Sequence, residues 1–223
     1  MTNYQDQIVT YICQCQFSDL PAEVIKRGKE IIADTIGCIA AGAQEEEIKA
    51  LIGRLKVCGT PGVATVIGAG LRTAPPTAAF INGTAGVALE LDEGNRYARG
   101  HTAIHVLPSV LAVAEEKKCS GKDLLTAFVV GYEFGVRLGI ACKLHPSMHP
   151  HGTWGAIGAA VAVGKLMGYD ERAMKEMVNL SSSLTLATSA QTMLQGATVR
   201  NVYSGVSGFM GILAHDLVQS GFT

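Results

Sequence analysis

The feature that most constrains the fold is a helical spacing of apolar residues along almost the whole chain. One stripe at intervals of three and four comprises Val24, Ile25, Gly28, Ile31, Ile32, Thr35, Ile36 and Ile39. Such a period places these residues on one face of an α-helix. The same pattern recurs over 45–56, 77–90, 104–118, 121–143, 153–168, 170–187 and 205–220. The chain is therefore predicted to be all-α, a multi-helix bundle-like domain of about eight helices.

Residues 60–76 break this rhythm. They contain GVATVIGAG, a short β-branched run between glycines, and then Pro75 and Pro76. We expect at most a short β-hairpin near 63–68. Strands do not alternate with the helices, so a parallel sheet is not expected. Ser120 and Asp170 are expected to cap the N-termini of two of the helices.

Composition bounds the class of protein. Of the 223 residues, 48% are hydrophobic and 17% charged, which excludes disorder and fits one helical domain over residues 1–223. The net charge of −1 gives no basic excess, so no nucleic-acid partner is expected. The low charge and high apolar content favour a subunit interface, and we expect a homodimer.

The location of the protein in the cell is predicted from its apolar segments, its N-terminus and its cysteines. The longest uncharged run, 177–199, is rich in Ser, Thr and Gln, so it is not a membrane-spanning helix. The N-terminus has neither a basic segment nor a long apolar one, so no signal peptide is expected. Six cysteines without a CxxC pair indicate reduced thiols. The sequence thus predicts a cytoplasmic protein with no membrane partner.

Small residues recur at three-residue spacing in two places, Gly152-Gly155-Gly158 and Gly205-Gly208-Gly211. Glycine is costly inside a helix, so the spacing indicates close approach of a neighbouring helix or of a ligand. A dinucleotide fingerprint requires a preceding strand, and none is expected before either run. We therefore expect close helix packing rather than a phosphate site.

Polar residues that could take part in catalysis lie in three breaks between helices. The first, residues 90–101, carries Glu90, Asp92, Arg96 and His101, and could also be a solvated loop with a helix cap. The second, residues 145–153, carries His145, His149 and His151. Three histidines are a common zinc set, but two prolines prevent a regular helical pair and no HExxH occurs. Neutral histidines acting as acid or base are the favoured interpretation.

The third break, residues 195–205, contains Arg200 and Tyr203. An arginine in apolar surroundings requires an anion, which is either a protein carboxylate or a substrate carboxylate. The chain contains no GxSxG elbow, Walker A loop or EF-hand. The remaining set of acids, histidines and arginines suits proton transfer next to a carboxylate.

Several stretches together resemble the MmgE/PrpD family, which includes 2-methylcitrate dehydratase, cis-aconitate decarboxylase and an iminodisuccinate epimerase. They are DTIGCIAAG (34–42), AAFINGTAGVALELDEGNRYARGH (78–101), VLPSVLAVAEE (106–116), HPHGTWGAIGAAVAVGKLMGYD (149–170) and GATVRNVYSGVSGFMGILAHDLVQSGFT (196–223). The resemblance implies a large helical domain with a smaller α/β domain, assembled as a homodimer. It also implies catalysis without a metal or organic cofactor.

The resemblance carries site positions onto this chain one at a time. The acidic position falls on Asp92, with Glu90 as the other candidate, and the histidine before the VLP stretch is His101. The histidine of the HP-x-GT stretch is His149, with His151 beside it. The basic position is Arg200, where lysine is common, and Tyr203 takes the place of an aromatic residue or histidine. Thr102 stands where proline is usual, and the family's second domain is not found in this sequence.

These observations predict a cofactor-independent lyase or isomerase, that is, a dehydratase, decarboxylase or epimerase, acting on a small di- or tricarboxylate. We expect His101 to transfer the proton, Asp92 to orient it and His149 to be the second acid or base. Arg200 and Arg96 are expected to hold substrate carboxylates. One alternative is an incomplete helical subunit that needs a partner chain supplying the missing domain, so whether this chain alone is an enzyme stays open. The other is a histidine-rich metal-dependent hydrolase.

Overall fold

The computed structural model describes residues 3–223, apart from the side chains of Val57 and Cys58. Within this range the helices are α1 Tyr4–Gln14, α2 Ala22–Gly42, α3 Glu46–Cys58, α4 Pro75–Gly86, α5 Thr102–Lys117, α6 Gly121–Ala141, α7 Gly155–Leu166, α8 Glu171–Ser183, α9 Ala190–Leu194 and α10 Val202–Gln219. Short 3-10 turns occupy Phe17–Asp19 and Thr198–Asn201. The strands, β1 Ala64–Val66 and β2 Leu71–Thr73, form an antiparallel hairpin in which Ala64 pairs with Thr73.

The all-α prediction is confirmed, and each of the eight expected helices is present. The described residues add two that the sequence pattern did not indicate, α1 and α9. Helix α1 buries only Val9 and Ile12, so its apolar stripe is too short to stand out. Helix α9 has five residues, fewer than two turns. The expected hairpin is also present, and its second strand extends it to Thr73.

The core is built from α4, α5, α7 and α10, with α6 packed along α7. Helix α7 is buried around its whole circumference, from Gly155 to Gly164, which explains why its apolar pattern has no polar face. Helices α5 and α6 contribute Leu107, Val110 and Phe128 to the same interior. The helices thus form a single packed body that fixes the loops at their ends.

Small residues let these central helices approach closely, as the sequence indicated. A Cβ on Gly83 of α4 would lie 2.9 Å from the Cα of Gly205 in α10. A Cβ on Gly211 of α10 would lie 2.7 Å from the Cβ of Ala159 in α7. Gly158 of α7 packs against the backbone of α6 at Gly131. These contacts are helix on helix, and no side chain larger than hydrogen fits at them without displacing the neighbouring helix.

Both expected N-caps are present. The Ser120 hydroxyl accepts a hydrogen bond from the Asp123 amide at 3.2 Å, and the Asp123 carboxylate accepts one from the Ser120 amide at 3.1 Å. The Asp170 carboxylate accepts a hydrogen bond from the Ala173 amide at 2.8 Å. Each cap satisfies an amide that the first helical turn leaves unpaired, which fixes where α6 and α8 begin.

Helix α6 is long and apolar enough to span a membrane by length and composition alone. In the structure it packs against α5 and α7, and it buries Leu125, Phe128 and Val130. That is the environment of a core helix. The five cysteines whose side chains are described are all free thiols: Cys13, Cys15, Cys38, Cys119 and Cys142.

Candidate active site

The three polar breaks meet at one end of the helical body. The first joins α4 to α5, the second joins α6 to α7, and the third follows α9 and leads into α10. Between them lies a pocket of about 490 Å³. Its polar lining comprises Glu90, Asn95, Arg96, Arg99, His101, His149, His151 and Arg200, with Met193 of α9 at one side.

The first loop is held by its own hydrogen bonds. Asn95 and Gly100 pair through their backbones, and the Asn95 side chain accepts the amides of Tyr97 and Ala98, both at 3.1 Å. This folds 95–100 into a compact turn. The turn delivers the chain to His101, which is the N-cap of α5.

Glu93 fastens this loop to the body of the protein. Its carboxylate accepts hydrogen bonds from the Ala103 amide at 3.1 Å and from the Tyr132 hydroxyl at 2.7 Å. The first bond caps α5, and the second ties the loop to α6. Burial raises the pKa of Tyr132, so its hydroxyl remains a donor at neutral pH. The sequence analysis gave Glu93 no role; the structure makes it the anchor of the loop that carries Asp92 and His101.

The buried Asp92 and the half-buried His101 form a carboxylate–imidazole pair. The His101 Nδ1 lies 3.0 Å from the Asp92 Oδ2 and 3.3 Å from the Asp92 carbonyl oxygen. Only 2% of the Asp92 side chain is exposed, against 29% for His101. Contact with the Asp92 carboxylate raises the pKa of His101, although burial opposes it. Because Nδ1 faces Asp92, Nε2 is the nitrogen left for the pocket.

Hydrogen bonds join the second loop to the segment before α9. The His149 amide donates to the Thr188 carbonyl at 2.9 Å, and the Thr188 hydroxyl returns a bond to the His149 carbonyl at 2.9 Å. The Leu186 amide donates to the Gly152 carbonyl at 2.7 Å. Gly152 has φ +85°, a conformation that favours glycine. His149 and His151 are therefore held on a rigid frame.

His149 has a defined tautomer. Its Nδ1 accepts a hydrogen bond from the backbone amide of His151 at 3.0 Å, so the proton of the neutral ring lies on Nε2. That Nε2 is 3.3 Å from the sulfur of Met193. Burial, with the nearby His101, lowers the pKa of His149. His149 is therefore a neutral hydrogen-bond donor at the pocket.

Four histidines form one cluster around His151. Its ring centroid lies 4.6 Å from that of His149, 4.8 Å from that of His105 and 5.1 Å from that of His101, each nearly perpendicular to it. The sequence analysis did not assign a role to His105, which lies inside α5 and is fully buried. Burial lowers the pKa of His105 to about 3 and that of His151 well below its ordinary value. The cluster thus holds one readily protonated ring, His101, among neutral ones.

Unpaired polar atoms concentrate here. In the described part of the chain, the buried side-chain nitrogens and oxygens that lack a hydrogen-bond partner all belong to Asp92, Thr102, His105 and His151. The contact between Asp92 and His101 is close but not aligned as a hydrogen bond. A buried polar group without a partner typically costs ~1–3 kcal/mol. Such a concentration beside a pocket is typical of a functional site.

Arg200 is buried, with 6% of the residue exposed, and already has partners. It pairs with the Glu90 carboxylate and donates to the Val87 carbonyl at 3.3 Å and the Asn201 side chain at 3.0 Å. Burial lowers its pKa. The sequence predicted that Arg200 pairs with either a protein carboxylate or a substrate carboxylate. The structure shows a protein carboxylate, that of Glu90. The Glu90 backbone is left-handed, with φ +55°.

The remaining predicted residues divide between the pocket rim and its surroundings. Arg96 is exposed and lines the pocket, as does Arg99, which the sequence analysis did not select. Neither arginine forms an ion pair within residues 3–223. Tyr203 lies outside the lining and contacts His149, with ring centroids 5.9 Å apart.

The geometry also bears on the metal alternative. Across the described residues, His, Cys, Asp and Glu side chains form no group of three or more that could hold a metal ion. In the histidine cluster the rings meet edge to face, and the His149 Nδ1 is occupied by a backbone amide. The hydrolase alternative therefore has no ligand set in this part of the chain.

Comparison with known proteins identifies the family of this chain. Residues 6–223 match the model of the MmgE/PrpD N-terminal domain. The chain is 32% identical over 213 residues to a cis-aconitate decarboxylase of Aspergillus terreus, covering 92% of this chain and 43% of that protein. It is 32% identical over 203 residues to the human cis-aconitate decarboxylase, covering 85% and 41%. A cis-aconitate decarboxylase-like protein of Aspergillus oryzae is 28% identical over 229 residues, covering 96% and 47%. The chain thus spans less than half the length of these curated relatives, and by its sequence and its helical fold it belongs to the MmgE/PrpD family.

Proposed function

We propose that the pocket is the proton-transferring part of a cofactor-independent lyase acting on a small tricarboxylate, with decarboxylation of a cis-aconitate-like substrate as the reaction. The observation that carries this proposal is the concentration of unpaired buried polar atoms beside the Asp92–His101 pair. The relatives are cis-aconitate decarboxylases, which supports the choice of decarboxylation over dehydration and epimerisation. All three reactions need a residue that transfers a proton.

His101 is the proton donor in this proposal. Loss of CO2 breaks the bond between a carboxylate carbon and its neighbour, and the electron pair stays on the substrate carbon skeleton. A proton from the Nε2 of protonated His101 then joins that skeleton, and solvent reprotonates the ring. Asp92 orients the ring through Nδ1 and stabilises its charged form. The raised pKa of His101 keeps it protonated nearer to neutral pH.

His149 and His151 hold the substrate from the other side. With its proton on Nε2, His149 can donate to a carboxylate oxygen of the substrate where it now faces Met193. His151 lines the same wall with both ring nitrogens unpaired. Neutral donors of this kind stabilise developing negative charge without competing for the proton on His101.

The substrate carboxylates are held by cations at the rim. Arg96 and Arg99 are exposed at the pocket and have no ion-pair partner in the described residues, so both are available to bind them. Arginine binds a carboxylate in bidentate fashion. Arg200 contributes from deeper in the wall, where Glu90 sets its position. Tyr203 supports the ring of His149.

Assembly completes the site in this proposal. The pocket lies at the surface of the helical body with its arginines exposed, and the curated relatives are more than twice as long. We propose that a further domain, in the same protein or in a partner chain, covers the pocket, and that the helical domain assembles as a homodimer in the cytoplasm. The rival function, an incomplete subunit that is inactive alone, is favoured by the same exposure of the pocket.

Product analysis separates these possibilities. The chain is incubated with 13C-labelled cis-aconitate in D2O, alone and with a polypeptide that supplies the second domain of the family. Decarboxylation releases labelled CO2, hydration adds water across the double bond of the substrate, and proton transfer alone exchanges hydrogen for deuterium without loss of carbon. CO2 release by the chain alone supports the enzyme, and release only with the added polypeptide supports the subunit. Binding without turnover in either mixture would contradict the proposed reaction.

A further inference from the structure

His105 packs beside His151 in a space that Gly155 leaves open. A Cβ on Gly155 would lie 2.5 Å from the Cγ of His105, so the absence of a side chain at Gly155 leaves room for the imidazole. Trp154 closes the other side, with ring centroids 5.8 Å apart. His105 is fully buried and 1% of His151 is exposed. The pair is therefore packed tightly at the base of the pocket.

Each of these two rings lacks a partner for both of its nitrogens. A neutral imidazole has one N–H donor and one acceptor nitrogen, so each ring could satisfy the other. Two imidazoles joined by an N–H···N bond of about 3 Å have centroids roughly 5 Å apart. The observed separation is 4.8 Å at an interplanar angle of 86°, so the rings already lie at the distance of such a bond and differ from it in orientation.

We propose that His105 is a positioning residue, which fixes the orientation and the tautomer of His151 through an N–H···N hydrogen bond. His151 then presents one defined nitrogen to the pocket, between His101 and His149. A residue that set only the packing of α5 would need no nitrogens. The consequence for catalysis rests on the proposed function, whereas the fixed tautomer does not.

The surroundings favour a neutral pair. The titratable groups that face the two rings are His101, with Asp92 behind it, and His149. At the start of α7, Trp154 and Gly155 contact His105, and neither carries a charge. Since the charge of protonated His101 opposes a second proton nearby, the pair remains neutral and retains one donor and one acceptor per ring.

The test is a measurement of histidine tautomers in the folded chain by long-range 1H–15N correlation, with 15N-labelled histidine. In the wild-type chain we expect His151 to occupy a single neutral tautomer, and a 15N–15N coupling across the hydrogen bond to His105. The variant His105→Phe keeps an aromatic ring of similar shape without nitrogens. It should shift His151 to a mixture of tautomers, and His105→Gln should restore part of the preference.

The control is His145→Phe, at an exposed histidine outside the cluster, which should leave His151 unchanged. A tautomeric mixture at His151 in the wild-type chain would overturn the proposal, as would a single tautomer that persists in His105→Phe. If His105→Phe does not fold, the 15N–15N coupling in the wild-type chain decides, and its absence counts against the proposal. The spectra require no turnover, so failure of the proposed reaction is read separately in the CO2 assay.

Discussion

Acid should destabilise this protein through His105, and the structure gives the size of the effect. His105 is fully buried, and its pKa falls from the ordinary 6.5 to about 3. Between these values the unfolded chain binds a proton at this position and the folded chain does not. The free energy of unfolding therefore falls as the pH decreases through this window.

The magnitude follows from the linkage relation. One such group changes the free energy of unfolding by ~1.4 kcal/mol per pH unit once the pH is well below 6.5. Integrated from pH 7 to pH 5, the contribution of His105 is about 2 kcal/mol. That is a large share of the 5–15 kcal/mol, roughly, that stabilises a typical domain.

Other histidines contribute with both signs, so a difference between variants is needed. Burial lowers the pKa values of His149 and His151, which adds to the acid sensitivity. His101 opposes it, because its raised pKa gives stability that is present in acid and lost as the pH rises through the folded value. Replacing His105 by Phe removes the contribution of His105 to the pH dependence of stability and leaves the contributions of the other histidines largely unchanged.

The assay is urea unfolding followed by far-ultraviolet circular dichroism at pH 7 and pH 5. The wild-type chain should lose about 2 kcal/mol more than His105→Phe between these pH values. Any constant effect of the substitution on packing cancels in this comparison. His145→Phe, at an exposed position, should behave as the wild type does. Equal losses in the wild-type chain and His105→Phe would refute the reasoning, because His105 would then titrate alike in both states.

Three further substitutions test the site and the packing. Asp92→Asn should lower the pKa of His101, measured by NMR titration, because the contact that raises it loses its charge; an unchanged pKa would show that the pair is not coupled. Gly205→Val should prevent close approach of α10 to α4 and cost ~3 kcal/mol or more in chemical denaturation, whereas Gly53→Ala, where a Cβ meets nothing within 4 Å, should be neutral or stabilising; similar effects at both would contradict the packing account. Ser120→Ala should cost ~1 kcal/mol through loss of the α6 cap, and a cost near zero would mean that another group replaces it.

The helices were accessible from the sequence because burial on one side of a helix leaves a 3.6-residue period. The sequence located the eight longer helices, although α7 is buried all round and has no polar face to mark such a period. It could not locate α1, which buries two residues, or α9, which has five. Both helices depend on contacts with other segments rather than on a pattern of their own.

The sequence identified residues of the candidate site but not their arrangement in space. Polar residues in breaks between apolar helices pointed to the three loops, and the structure brings His101, Asp92, His149 and His151 together there. Their roles in proton transfer stay predictions. His105 was not found, because a histidine within a helical stripe resembles any other core position, and its contact with His151 depends on the fold.

Arg200 illustrates the same limit. Its isolation among apolar residues correctly indicated an anionic partner, but the sequence could not choose between a substrate and Glu90. That choice depends on the fold, which brings the Glu90 carboxylate to the arginine. Local patterns identify which groups need partners, whereas three-dimensional packing decides which partner each receives.

The most direct test of the proposed mechanism is the rate of CO2 release from 13C-labelled cis-aconitate by the active assembly that contains His101→Asn. The control is His145→Asn, which removes an exposed histidine outside the pocket. If His101 donates the proton, its replacement should lower turnover by ~10²–10⁴-fold while the control retains the wild-type rate. A folded His101→Asn protein with undiminished CO2 release would contradict the assignment of this pocket as the proton-transfer site.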